Sequence, residues 1–189
     1  VKIGGIEQWV TIRGDDQRKP VLLLLHGGPG DVQSPFVSTF APYEKDFVLV
    51  QWDQRGAGRT FGKNGAAGVT RERLVADAID LAEQLHTRFP RAPLILFGHS
   101  WGSIIATAVA QQRPELFAAV ISQVGVSNNL RAEFSQNGPP NIPEFGSVTT
   151  ADGFKGLYEM DSYVHVKDGT KYPAAMFTKN VEDGQRCTP

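Results

Sequence analysis

Uninterrupted apolar runs at Val21 to Leu25, Phe47 to Gln51 and Leu94 to Phe97 break a chain whose other hydrophobic positions recur at helical or alternating spacing. Runs that offer no polar face to water are expected of strands buried on both sides of a parallel sheet. Between them the period changes. Leu74, Ala78, Leu81 and Leu85 recur every three or four residues and predict a helix, with Thr70 as its N-cap and Pro90 and Pro93 closing it. A helical stretch is expected around Phe36 to Lys45, and a small-residue helix over Ser103 to Gln111. Ala118 to Val124 and Ala174 to Thr178 read as further strands. Ile3 to Gly14 reads as an opening hairpin turning at Gly4-Gly5, with Trp9 and Thr11 in alternation. A loop-rich, cap-like segment with short helices fills 129–162. This alternation predicts an α/β fold, a mostly parallel sheet with helices on both faces, in a single domain spanning 1–189.

Two of the buried strands end in glycine-rich turns that carry candidate chemistry. Gly98-His99-Ser100-Trp101-Gly102 follows the strand at Leu94 to Phe97 and precedes a helix. That is the form of a nucleophile elbow, in which a tight strand-to-helix turn lifts the central hydroxyl clear and tolerates only glycine beside it. His26-Gly27-Gly28-Pro29-Gly30 follows Val21 to Leu25 and leaves backbone N–H groups uncovered. Donors of that kind stabilise the oxygen that gains charge as a carbonyl is attacked. Ser100 is the candidate nucleophile, and the amides of Gly28 and Trp101 are the candidate oxyanion hole. A third loop, Trp52-Asp53-Gln54-Arg55-Gly56-Ala57-Gly58-Arg59-Thr60, follows the strand at Phe47 to Gln51. Within it Asp53 and Arg55 read as an internal ion pair that fixes the loop, in preference to a catalytic role.

HGGPG, WDQRGAGRT and GHSWGS, in this order and spacing, resemble the proline iminopeptidase branch of the α/β-hydrolase superfamily over about the first 110 residues. The resemblance implies that Ser100 is the nucleophile, that the HGGPG glycines help form the oxyanion hole, and that the loop at 53–56 buttresses the site. From Arg113 onward the chain is similar instead to the catalytic domain of prolyl oligopeptidases, through Gln123 to Val126, Asn137 to Gly146 and His165 to Ala174. That second resemblance places the triad aspartate in the loop after the strand at Ala174 to Thr178, where Asp183 stands. The local sequence, Lys179-Asn180-Val181-Glu182-Asp183-Gly184, departs from the family's usual glycine and Asn-Asp-Pro. The two likenesses meet between Ala106 and Arg113, as a hybrid or truncated chain would show.

A serine nucleophile needs a base, commonly an imidazole whose pKa lies near neutrality. Both resembling families place that histidine after the aspartate, beyond a further helix and strand. No histidine follows Asp183 in the 189 residues, so the C-terminal helix, strand and histidine loop are expected to be missing. His26 reads as loop-fixing, His86 as a surface-helix residue, His99 as pointing away from Ser100, and His165 as lying at the other end of the sheet.

Composition narrows the partners. With 19 basic and 20 acidic residues there is no electrostatic footprint for nucleic acid. No apolar run approaches the roughly 20 residues of a membrane span, and the N-terminus shows no signal-peptide pattern, so a cytoplasmic location without membrane contact is expected. The single cysteine, Cys187, excludes an internal disulfide and a cysteine-cluster metal site. No cofactor and no metal are implied. The expected activity is that of a serine hydrolase cleaving small carboxylic esters or amides through an acyl-enzyme. The alternatives are an iminopeptidase-like aminopeptidase, and an impaired fragment or pseudoenzyme without its histidine. A small ester or short peptide is the expected substrate. The apolar edge strand at 174–178 is expected to offer a homodimer contact.

Overall fold

The computed structural model describes residues 1–66, 68–135 and 138–178. The chain opens with β1 (Lys2–Ile3), β2 (Ile6–Glu7), β3 (Trp9–Arg13) and β4 (Val21–Leu25), then α1 (Val37–Phe40), β5 (Val48–Asp53), α2 (Gly58–Asn64) and α3 (Arg71–Arg88). It continues through β6 (Leu94–His99), α4 (Trp101–Gln112), β7 (Ala119–Gln123), α5 (Ile142–Phe145), α6 (Ala151–Met160) and β8 (Ala174–Thr178). Six strands form one sheet in the order β3-β5-β4-β6-β7-β8. Only β3 runs antiparallel to its neighbour. The predicted α/β architecture is therefore the observed one, that of the α/β-hydrolase fold.

The uniform apolar runs do what their composition requires. All five residues of β4 and all six of β5 are buried. Leu23, Leu25, Val50 and Leu96 pack against Leu74, Leu81 and Leu85 of α3 and Ile105 and Val109 of α4 on one face. Leu22, Leu24 and Leu49 face the other way, against Phe40 of α1 and Phe47. β6 alternates instead: Ile95 and Phe97 are half-buried on that second, smaller cluster. Thr70 caps α3 as expected, its hydroxyl accepting from the Arg73 N–H at 3.1 Å.

The opening hairpin is only partly as predicted. Gly4 and Gly5, with φ of 54° and 86°, turn β1 into β2. Trp9–Arg13 leaves that hairpin and pairs with β5, Trp9 opposite Asp53 and Arg13 opposite Leu49. Buried Gln8 directs the exit, accepting from Trp52 Nε1 at 2.9 Å and donating to Asp77 at 2.7 Å. A five-residue ladder on the main sheet outweighs extension of a two-residue ribbon.

At the other edge, β8 leaves Met176 and Phe177 more than half exposed. Register along β6, β7 and β8 sets His99 opposite Gln123 and Gln123 opposite Thr178. β8 thus delivers the chain to the same end of the sheet as residue 100. No helix among the described residues is long and apolar enough to cross a membrane.

Candidate active site

Ser100 closes β6 and opens α4 with φ 53° and ψ −118°. A non-glycine residue held there costs of order 1–3 kcal/mol, and the surroundings must enforce it. They do so through the backbone. The Ser100 N–H donates to the Gln123 carbonyl at 2.9 Å, and the Ser100 carbonyl accepts from the Ser103 N–H at 2.9 Å. Ser103 Oγ lies 2.7 Å from the Gly98 carbonyl and 3.0 Å from that of Gln123. The next residue, Val124, is itself at φ 47°, so strain is concentrated on both strands that frame the elbow.

The flanking glycines are dictated by space. A Cβ at Gly98 would lie 2.4 Å from the Gly102 carbonyl oxygen, and one at Gly102 would lie 2.1 Å from that of Leu25. A Cβ at Gly125 would meet that of Ser103 at 2.4 Å. The G-x-S-x-G spacing therefore expresses how tightly α4 sits on the ends of β4 and β6.

The loop after β4 lies against this turn. A Cβ on Gly27 would be 3.2 Å from Ser100 Cβ, so the two turns share one small volume. Gly28 is exposed, with φ 107°. Among the described residues its N–H donates to no acceptor, and neither does that of Trp101. Trp101 is the first residue of α4, where an N–H has no intrahelical partner and the helix dipole favours negative charge.

Among the described residues no hydrogen bond joins any of the four histidines to Ser100. His26 is buried, with Nδ1 3.0 Å from the Gly27 carbonyl and Nε2 accepting from the Gln54 N–H at 3.3 Å. Those bonds fit the tautomer protonated on Nδ1, and burial pulls the imidazole's pKa below its ordinary value against smaller opposing effects of Gly27 and Asp53. His26 thus fixes one glycine loop to the other. His86 Nε2 lies 2.6 Å from the Leu116 carbonyl, and His165 Nε2 lies 3.0 Å from that of Tyr158. His99 Nδ1 is buried without a partner, beside Gly27. Asp183 and Cys187 lie outside the described residues.

The expected Asp53–Arg55 ion pair is not formed. Asp53 ends β5 and accepts from the Arg59 N–H at 2.9 Å, capping α2, which has no side-chain cap of its own. Arg55 turns to α3 instead, its Nε 2.8 Å from Asp77 Oδ2, while Arg73 Nη2 reaches Asp77 Oδ1 at 2.6 Å. The loop is fixed by an ion pair, as anticipated, but to a carboxylate 22 residues away.

The cap-like segment builds one wall of a cleft. Ile104, Val126, Phe145 and Leu157 line it, together with Glu133. Phe145 stacks on Trp101 with ring centroids 6.3 Å apart and planes 16° from parallel, which joins the cleft to the elbow. Neither Glu133 nor Phe145 stands out in the sequence, because irregular chain between 129 and 150 carries no period that would aim a side chain.

The profile of the serine aminopeptidase family S33 matches residues 16–135. The chain belongs to that family. This S33 chain is 41% identical over 128 residues to the probable aminopeptidase YbaC of Bacillus subtilis, a match covering 66% of it and 40% of that protein. It is 38% identical over 102 residues to a proline iminopeptidase of Xylella fastidiosa, covering 54% and 31%. Its fold superposes with a TM-score of 0.71 on a chain from a structural study of two prolyl endopeptidases, at 29% identity over 90% of this chain and 26% of the other. A post-proline cleaving enzyme from Rickettsia typhi also gives 0.71, at 18% identity over 95% and 32%, a likeness of fold alone. The S33 chain therefore spans less than half the length of these relatives. The iminopeptidase match covers about half of this chain, and the endopeptidase fold covers nine-tenths of it.

Proposed function

We propose that this S33 chain carries the nucleophile and the oxyanion hole of a serine peptidase acting on short peptides. Ser100 Oγ attacks the scissile carbonyl and loses its proton to a base. The amides of Gly28 and Trp101 receive the oxyanion, the amine departs with a proton, and water then releases the acyl group. Asp183 is assigned the orientation of the base. The observation that carries this reading is Ser100 held at φ 53° beside two uncommitted amides. The aminopeptidase and iminopeptidase names of the sequence relatives support amides as the substrate class.

Because no histidine among the described residues hydrogen-bonds Ser100, turnover by these 189 residues alone is expected to be slow. Oxyanion stabilisation and binding by themselves leave roughly 10³-fold acceleration over water in serine proteases stripped of their triad. That same observation favours a second substrate class for this chain. An activated nitrophenyl ester expels a leaving group that needs no proton, so the lack of a hydrogen-bonded imidazole costs less there than with an amide.

A fluorophosphonate probe tests the assignment. Labelling of the wild type and none of Ser100→Ala is the expected result. Equal labelling of both, or none of either, would reduce the chain to an inert scaffold.

A further inference from the structure

Val124 turns with φ 47°, a left-handed conformation that a β-branched residue keeps only where its surroundings enforce it. The peptide group it shares with Gln123 faces two ways. Its carbonyl accepts from the Ser100 N–H at 2.9 Å, and its N–H, that of Val124, donates to the Thr178 carbonyl at 2.8 Å. One planar unit thus joins the elbow to the last residue of β8. Immediately afterwards the chain folds back on itself. A Cβ at Gly125 would lie 2.8 Å from Ser122 Oγ and 2.4 Å from Ser103 Cβ, whereas three residues of extended strand would cover about 10 Å. The turn at Val124 therefore lets one peptide complete both strand pairings while the next residue packs on α4. A glycine would make that turn without strain, yet a half-buried valine holds it.

We propose that Val124 is a positioning residue for the chemistry at Ser100: its turn fixes the peptide that ties the nucleophile's amide to β8, and with it the spacing between the hydroxyl and the acid expected after that strand. The proposal deepens the serine-peptidase reading and rests on it for the roles of Ser100 and Asp183, though not for the turn or its two hydrogen bonds. A Cβ confines positive φ to a small left-handed well, so valine locks the peptide's tilt. Glycine followed by Gly125 would be a hinge, because the region open to glycine at positive φ is far wider. Asparagine tolerates the narrow well and would keep the turn. Val124 acts through the Gln123 carbonyl, and a misplacement of about 1 Å at a reacting atom can cost on the order of 10²-fold in rate.

Fluorophosphonate labelling kinetics and hydrogen exchange at the residue-100 amide, both measured on the whole chain, test this. In Val124→Gly the labelling rate at saturating probe is expected to fall at least about tenfold with the half-saturating concentration unchanged, because orientation is lost and binding is not. Exchange at the residue-100 amide should quicken while the urea midpoint stays at or above that of the wild type. Val124→Asn keeps the narrow well and should hold both rates at wild-type values, so a folding failure of Val124→Gly leaves Val124→Asn to decide. Wild-type labelling and exchange in a folded Val124→Gly, or slowed labelling in a folded Val124→Asn, would overturn the proposal. If the wild type resists the probe, the nucleophile reading fails, and exchange at residue 100 by itself upholds or overturns the tie to Val124.

Discussion

Gly102 approaches the end of β4 so closely that a Cβ on it would sit 2.1 Å from the Leu25 carbonyl oxygen and 2.7 Å from that of His26. Both opposing atoms are backbone, so neither can swing aside. Gly102→Ala must push α4 off the sheet, and overpacking against backbone of this kind is expected to cost about 3 kcal/mol, the upper end of its usual range. Urea denaturation is expected to show that loss, with labelling of Ser100 impaired in whatever remains folded.

Ser100→Gly should do the opposite for stability. Glycine takes φ 53° without strain, so the change is expected to stabilise the fold by about 1 kcal/mol while removing the hydroxyl proposed as the nucleophile. Ser100→Ala removes the hydroxyl and keeps the strain, so it should leave the denaturation midpoint close to wild type. The contrast between the two midpoints is the measurement.

Asp77 is wholly buried and receives Arg55, Arg73 and Gln8 together. Asp77→Ala strands the nearly buried Arg55 guanidinium without a counter-charge and is expected to cost about 3–5 kcal/mol. The urea midpoint should fall accordingly, and the loop at 54–56 should become the first protease-sensitive site.

Protonation of His26 sets a pH dependence. Burial holds its folded-state pKa below the unfolded value of 6.5. Below about pH 6.5 the unfolded chain therefore binds a proton that the folded chain refuses, and stability declines as pH falls through that value toward the lower, folded one. Above about pH 7 this contribution is complete. Denaturation midpoints measured across this range should fall on the acid side, and His26→Gln should flatten that part of the curve.

Among the described residues β8 is the edge strand of the sheet, with Met176 and Phe177 exposed. Two copies joined there in antiparallel register would bury both edges. Light scattering after size exclusion is expected to return twice the 20.6 kDa chain mass. A mass that stays monomeric at high concentration would dispose of that contact.

Much of this was legible in the residues themselves. The uniform runs at Val21 to Leu25 and Phe47 to Gln51 led to strands buried on two faces, while Leu94 to Phe97 is fully buried only at Leu94 and Leu96. The glycines around Ser100 announced a turn with no room for side chains. What escaped was long-range. Asp53 and Arg55 are close in sequence, yet one ends a strand and caps α2 while the other enters a loop facing α3, so their side chains part. Trp9 to Arg13 alternates as any hairpin strand would, and nothing local reveals that β5 is its partner. Glu133 lies in a short 3-10 turn, where orientation depends on how residues 129–162 fold back over α4.

One main-chain oxygen, that of Gln123, holds the elbow amide and lies within reach of the Ser103 hydroxyl. The orientation of the Ser100 side chain is therefore governed from a neighbouring strand. A substitution that shifts β7 would therefore tilt the elbow from behind, leaving the glycine loops that face it unchanged in sequence.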